Sequence, residues 1–283
     1  MTMQRWLRSG LRHGRQLLLV IAVTMGSVTT ATAAAGGDVS FEHAGWSQLL
    51  HANVVTANDG LATSVDYAAM LAARPELQQY LQSLAAVTPA TFDGWDKKTQ
   101  LAFLINAYNA WTVELILTAY PKLESIKDLG SLFRSPWSKA FIPLLGQTRS
   151  LDDIEHKMIR GSGNYNDPRI HFAVNCASIG CPALREEAYT GAELDAQLHE
   201  QTRRFLLDRS RNRGQGAGLA VSSIFKWYKG DFEGGWAGYS RLEDFFLDYT
   251  DALDLNAAQS EALRQGNSDI RFLDYDWRLN KKP

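Results

Sequence analysis

The sequence predicts an α+β fold: one helix-rich domain carrying a small sheet, mostly antiparallel or mixed. Three observations lead there. Stretches with helical periodicity outnumber stretches with strand character, and the two do not alternate as a doubly wound sheet requires. The composition is that of a packed globular chain, with 45% hydrophobic, 11% aromatic and 21% charged residues among 283. No internal repeat and no Pro/Gly/Ser linker divides the chain, so residues 36–283 read as a single globular domain.

The first 35 residues read differently. Arg5, Arg8, Arg12 and Arg15 form a positive region with no acidic residue, Leu17 to Val28 is apolar, and Ala31-Thr32-Ala33 or Ala33-Ala34-Ala35 supplies a small-x-small cleavage site. This is the layout of a secretory signal peptide, and the apolar stretch is short for a bilayer span. A retained N-terminal anchor is the competing reading. The expectation is an exported protein, periplasmic or secreted, with no membrane span after cleavage. Removing the four arginines from 29 basic residues leaves 25 against 31 acidic, a net charge near −6.

The elements follow in order. Ala73-Arg74-Pro75 opens a helix through Leu77, Tyr80, Leu81 and Leu84, with Pro75 suited to its first turn. Thr99 to Tyr120 is the longest helical candidate, apolar nearly all round and therefore buried. Ser150-Leu151-Asp152-Asp153 reads as a capping box, opening a helix to about Arg160 that Gly161-Ser162-Gly163 ends. Arg169 to Asn175 reads as a strand opened by Asp167-Pro168, leading into a loop of small residues to Pro182. A second capping box, Thr190 to Glu193, leads a helix through Leu194, Leu198, Phe205 and Leu206. Arg209 to Gly218 is a polar loop, Leu219 to Ser222 a short strand, and Phe225 to Tyr228 a helical turn. Helices at Leu242–Tyr249 and Ala257–Arg264 precede an extended segment from Ile270 to Leu279.

Several function classes are set aside by composition and motif. A formal charge of −2 gives no basic field for nucleic acid. There is no phosphate-binding glycine loop, no G-x-S-x-G elbow and no His-Glu-x-x-His. His156, His171, Cys176 and Cys181 lack the short ligand spacings of a zinc site, so no metal and no cofactor is expected.

The chemistry concentrates between Arg169 and Pro182. In a strand, period-two alternation puts His171, Ala173 and Asn175 on one face, with Cys176 and Cys181 in the loop beyond. A thiol becomes a nucleophile when a base favours its thiolate. Cys181 or Cys176 is the candidate nucleophile and His171 or His156 the candidate base. Cys181 is preferred because Pro182 and small neighbours leave room for a substrate carbonyl. Against this stands a simple disulfide across a tight loop, favoured by the exported compartment and the even cysteine count. A thiol–disulfide redox role lies between, though C-x4-C lacks the usual two-residue spacing. Asn106 and Asn109 share one face of an apolar helix, where they either clamp a loop or line a polar cleft. Asp152, His156 and Arg160 share another face, as a solvated stripe or the wall of a site. Asn106, Asn109, Asn175 and Arg160 are therefore the candidate substrate-binding residues.

Taken together, Ile-Asn-Ala-Tyr-Asn-Ala (105–110), Leu-Asp-Asp-Ile-Glu-His (151–156), Arg160, the Arg169–Cys176 run, Cys181-Pro182, Trp227-Tyr228, Asp231-Phe232 and Tyr275-Asp276-Trp277 resemble the domain-of-unknown-function family 547. The resemblance spans roughly 95–235 and the tail near 275–280, and implies no catalytic assignment. Two functions stay open. One is a thiol-dependent hydrolase or acyl/peptidyl transferase of the cell envelope. The other is a non-catalytic domain binding a small molecule or envelope peptide, with a structural Cys176–Cys181 disulfide.

Overall fold

The computed structural model describes residues 41–131 and 134–283, and these belong to one compact unit. The signal-peptide expectation lies outside the described residues. Helix α1 (Ala44–Asn53) buries Trp46, Leu49 and Leu50, the i, i+3, i+4 spacing of one helical face. A hairpin follows, β1 (Val54–Ala57) antiparallel to β2 (Ala62–Val65). Its turn needs left-handed backbone at Asn58, Asp59 and Gly60, residue types that tolerate it. Asp66 caps α2 (Tyr67–Ala72), and Pro75 lies in the first turn of α3 (Arg74–Ala85), as expected. Thr88 caps the short α4 (Pro89–Asp93).

Asp96 accepts the backbone N–H groups of Lys98 and Thr99 and starts α5 (Lys97–Leu117), the predicted long helix. It is buried on every side. A second hairpin, β3 (Ile142–Leu144) with β4 (Gln147–Arg149), leads to the Ser150 box. That box is complete: Ser150 Oγ accepts the Asp153 N–H at 3.0 Å, and Asp153 Oδ2 accepts the Ser150 N–H at 2.9 Å. The helix it opens winds wide, as a π-helix over Asp153–Ile159, before ending at Gly163 with φ +70°.

The strand expected over Arg169–Asn175 is a correction. Pro168–Phe172 is a tight 3₁₀ turn. Asp167 accepts the Arg169 N–H at 2.9 Å and Pro168 takes the first turn, so Asp-Pro acts as a helical start. Period-two alternation therefore does not set the faces of His171, Ala173 and Asn175.

Helix α6 (Leu194–Leu207) keeps half of its expected box. Thr190 Oγ1 accepts the Glu193 N–H at 3.3 Å, while the Thr190 N–H donates to Gln197 rather than to Glu193. The polar loop after it contains β5 (Arg213–Gln215), which Gly216 turns back onto β6 (Gly218–Ser222). Helices α7 (Ile224–Trp227), α8 (Lys229–Phe232), α9 (Leu242–Asp248) and α10 (Ala257–Arg264) follow. Strand β7 (Ile270–Leu273) then runs parallel to β6, which makes this three-stranded sheet mixed. The α+β class holds.

Two hydrophobic clusters fill the interior. One surrounds α5, with Trp46, Leu77, Leu104, Ile105 and Tyr108 among its members. The other is phenylalanine-rich: Phe172, Phe205, Phe225, Phe232, Phe245 and Phe246 interlock. Ring pairs such as Phe225–Phe246 and Phe232–Phe245, both with centroids 4.9 Å apart, each add about 0.5–1.5 kcal/mol beyond area burial. The candidate site draws on members of both clusters. Among the described residues no helix is long and apolar enough to cross a membrane.

Candidate functional site

The 3₁₀ turn divides its side chains between core and site: Phe172 enters the phenylalanine cluster, and His171 lines a cleft. The cleft holds about 220 Å³. Its walls include Tyr108, Trp137, Trp227, Tyr228, Tyr275 and Trp277, with Asp152, Glu155, His156, Cys176, Cys181 and Pro182 completing the polar side and floor.

Cys176 and Cys181 are joined as a disulfide, with Cα atoms 6.3 Å apart. The loop between them is pinned from several directions. Ile179 and Gly180 donate backbone N–H groups to the Arg278 and Asp276 carbonyls, both at 2.8 Å. Arg211 donates to the carbonyls of Cys181 and Ile179 at 2.7 Å each. Ala177 takes φ +62°, a left-handed conformation that costs a non-glycine residue about 1–2 kcal/mol. Asn175 Oδ1 holds it there, accepting the Ala177 N–H at 2.9 Å. Gly180 is required by close approach, since a Cβ there would meet the Tyr275 ring at 2.9 Å. The Tyr275 hydroxyl sits 3.2 Å from Cys181 Sγ and 3.3 Å from Cys176 Sγ. Burial raises that hydroxyl's pKa to about 12, so it stays protonated.

Neither candidate base is bonded to sulfur. His171 Nε2 pairs with Asp231 Oδ2 at 2.7 Å, its ring stacks on Tyr228 at 3.8 Å, and Nδ1 is buried without a hydrogen-bond partner. Burial lowers the His171 pKa, a shift that the bond to Asp231 only partly offsets. Burial also works against the Asp231 charge, but its hydrogen bonds to His171 and Arg160 prevail and hold the carboxyl well below the usual range. Asp231 therefore stays anionic, the Nε2–H donates to it, and Nδ1 is the lone-pair nitrogen.

Arg160 reaches Asp231 through Nε at 2.5 Å and Nη2 at 3.1 Å, and its Nη1 donates to His156 Nδ1 at 2.7 Å. His156 Nε2 lies 3.7 Å from Asp152, so the predicted Asp152, His156, Arg160 stripe is continuous. Its first two members line the cleft, while Arg160 reaches Tyr228 from outside the lining, 4.8 Å from the ring centroid.

The asparagines go elsewhere. Asn106 donates to the Tyr189 carbonyl at 2.7 Å and accepts the Tyr189 N–H at 3.0 Å. Asn109 donates to the Ala173 carbonyl at 2.9 Å and accepts the Asn175 N–H at 2.8 Å. Asn175 donates to the Pro182 carbonyl at 2.8 Å. All three are buried and none lines the cleft. They clamp backbone. Among the described residues no three His, Cys, Asp or Glu side chains are gathered as metal ligands.

Sequence reasoning gave no role to Glu155, Tyr228, Asp231 or Tyr275. The aromatic runs with embedded carboxylates were the available signal, but Asp231 meets His171 across 60 residues and Tyr228 meets Glu155 across 73. No local spacing encodes such pairs.

Residues 92–206 match the family model for a protein of unknown function, DUF547. The resemblance to DUF547 is thus found where the Asn106, Ser150, His171 and cysteine motifs lie. The matched segment supplies α5, the π-helical turn, the 3₁₀ turn, the disulfide loop and most of α6. Trp227, Tyr228, Tyr275 and Trp277 come from beyond it, as does Asp231, which holds His171, so residues outside the DUF547 match build about a third of the cleft wall. No curated protein and no solved structure matches the chain.

Proposed function

We propose that this chain is an exported binding protein whose cleft takes a small molecule, and that the Cys176–Cys181 disulfide is part of the frame of that cleft. The observation that carries this reading is the disulfide itself. Both sulfurs are bonded to each other, and each histidine is engaged with a partner other than sulfur. A cleft of about 220 Å³ walled by six aromatic side chains accommodates a compact ligand better than a peptide. A pocket mostly apolar in outline with a few convergent polar groups is the common form of a small-molecule site.

One observation favours a second reading, thiol-dependent hydrolysis or acyl transfer by the reduced protein. His171 lines the same cleft as the cysteines and is oriented by Asp231, which is how a carboxylate holds a catalytic imidazole. A single experiment separates the two. The protein is reduced with dithiothreitol and freed of it; one portion is alkylated with iodoacetamide across pH, and an unalkylated portion is assayed against a thioester. The binding reading expects alkylation that tracks an ordinary thiol, with a pKa of about 8.5, and no turnover. Alkylation well below that pH, with turnover lost in His171→Ala, would replace it with the enzyme reading.

A further inference from the structure

We infer that the ligand of this cleft is an organic ammonium cation, held between the tryptophan walls and the carboxylate of Glu155; this rests on the binding reading above. No lysine or arginine is among the residues that line the cleft, whereas Asp152 and Glu155 both are. Glu155 is 6% exposed, and a buried carboxylate is costly unless a cation or several donors compensate it. Its Oε1 accepts the Tyr228 hydroxyl at 2.8 Å, and Tyr108 hydrogen-bonds the same carboxylate; both are neutral donors. The nearest basic side chain is His156, with Nδ1 at 3.9 Å. That nitrogen accepts from Arg160, so while the bond persists the imidazole carries no positive charge. The Arg160 guanidinium is itself committed to Asp231. His171, the other imidazole of the wall, is kept neutral by burial. Glu155 therefore faces the cleft with no lysine or arginine bonded to it, and the Arg160 charge reaches it only at longer range.

Trp227 stacks on Trp277 at 5.6 Å, Trp137 meets Trp277 edge-on at 5.8 Å, and Tyr275 packs against Trp227 at 4.9 Å. Trp227 is 46% exposed, so its ring is open at the mouth of the cleft it lines. Tryptophan faces attract cations, and the attraction strengthens as the site is desolvated. The fold already contains this contact, because Lys127 Nζ lies 3.6 Å from the centroid of the Trp277 ring. Aromatic faces beside a buried carboxylate that no lysine or arginine neutralises directly select a positive charge on an apolar body. A neutral body of the same shape would gain the ring contacts without the ion pair, and an anion would be repelled by both acids.

The test uses choline and 3,3-dimethylbutan-1-ol, which share a shape and differ in charge, with benzoate as an anion. Binding to the full chain is read by tryptophan fluorescence and calorimetry. The expected result is saturable choline binding at least about tenfold tighter than the neutral alcohol, with no benzoate binding. Glu155→Gln should remove that preference. Because Glu155 is buried, Trp227→Ala at the exposed mouth serves as a second variant and should weaken choline by a similar factor. Equal affinity for choline and the alcohol, or tighter benzoate binding, would overturn the cation inference and leave the binding reading intact. If none of the three binds, the cation inference also fails. A screen of uncharged and anionic small molecules then judges the binding reading separately, by whether any gives a saturable change that Trp227→Ala abolishes.

Discussion

The asparagine clamp and the aromatic cleft both hold buried polar groups, within a few residues of each other in the chain, yet those groups are finished differently. In the clamp every amide has backbone partners: Asn106 closes two hydrogen bonds on Tyr189, and Asn109 bridges Ala173 and Asn175. In the cleft, His171 keeps a nitrogen without a partner and Glu155 has no lysine or arginine bonded to it. A buried donor or acceptor left unpaired costs about 1–3 kcal/mol, so polar groups that only hold the fold are normally saturated. Those left incomplete and facing a cavity mark where something else binds. The clamp carries structure, and the cleft is arranged for a ligand.

The largest effect expected from breaking this contrast lies in the clamp. Asn109→Ala strands two buried backbone groups and opens a small void, so unfolding free energy should fall by about 3 kcal/mol in urea denaturation. A loss below about 1 kcal/mol would mean that the amide is not the clamp described. Removing the disulfide comes next. Cysteines five apart close a short loop, and the double substitution Cys176→Ser with Cys181→Ser should cost about 2 kcal/mol. Choline binding by that variant should survive in weakened form, since the walls remain; its complete loss would make the sulfurs more than a frame.

Acid should separate the two regions further. Clamp amides do not titrate, whereas burial lowers the His171 pKa. The folded state favours neutral imidazole, so this contribution is complete above an unfolded pKa of about 6.5 and is lost as pH falls below it. The loss should be modest because Asp231 and Glu155 favour the imidazolium and offset part of the burial effect. Denaturation midpoints measured from pH 7.5 down to 5 should decline more in the parent than in His171→Gln, and parallel curves would remove the titration from His171. The smallest stability effect is at the cleft mouth. Trp227→Ala should change unfolding free energy by about 1 kcal/mol or less, because the ring is already half in solvent. A larger loss would place Trp227 in the core.

Much of the fold was legible in the chain because it is written in local hydrogen bonds. The Ser150–Asp153 box, the first turn at Pro75 and the stop at Gly161–Gly163 are settled by residues three or four apart. The span of α10 is read from the same kind of signal, since Asn256 and Gln259 cap each other. Where local signals conflicted, the reading failed: Arg169–Phe172 has strand-like residues, but Asp167-Pro168 starts a helical turn, and β6 already pairs with β5 and β7.

The candidate site divides along the same line. Sequence alone determined that His171, the two cysteines and the 151–160 stripe lie close together in the chain, and that α5 must bury two amides. Only tertiary structure decided that the amides clamp backbone, that Asp231 holds His171, that Tyr228 bonds Glu155, and that Tyr275 covers the disulfide. These pairs are separated by 60 to 99 residues. A local pattern fixes backbone hydrogen bonds within a turn or two of itself. Which distant side chains complete a polar group depends on how the α5 cluster and the phenylalanine cluster pack, and no spacing in the chain records that.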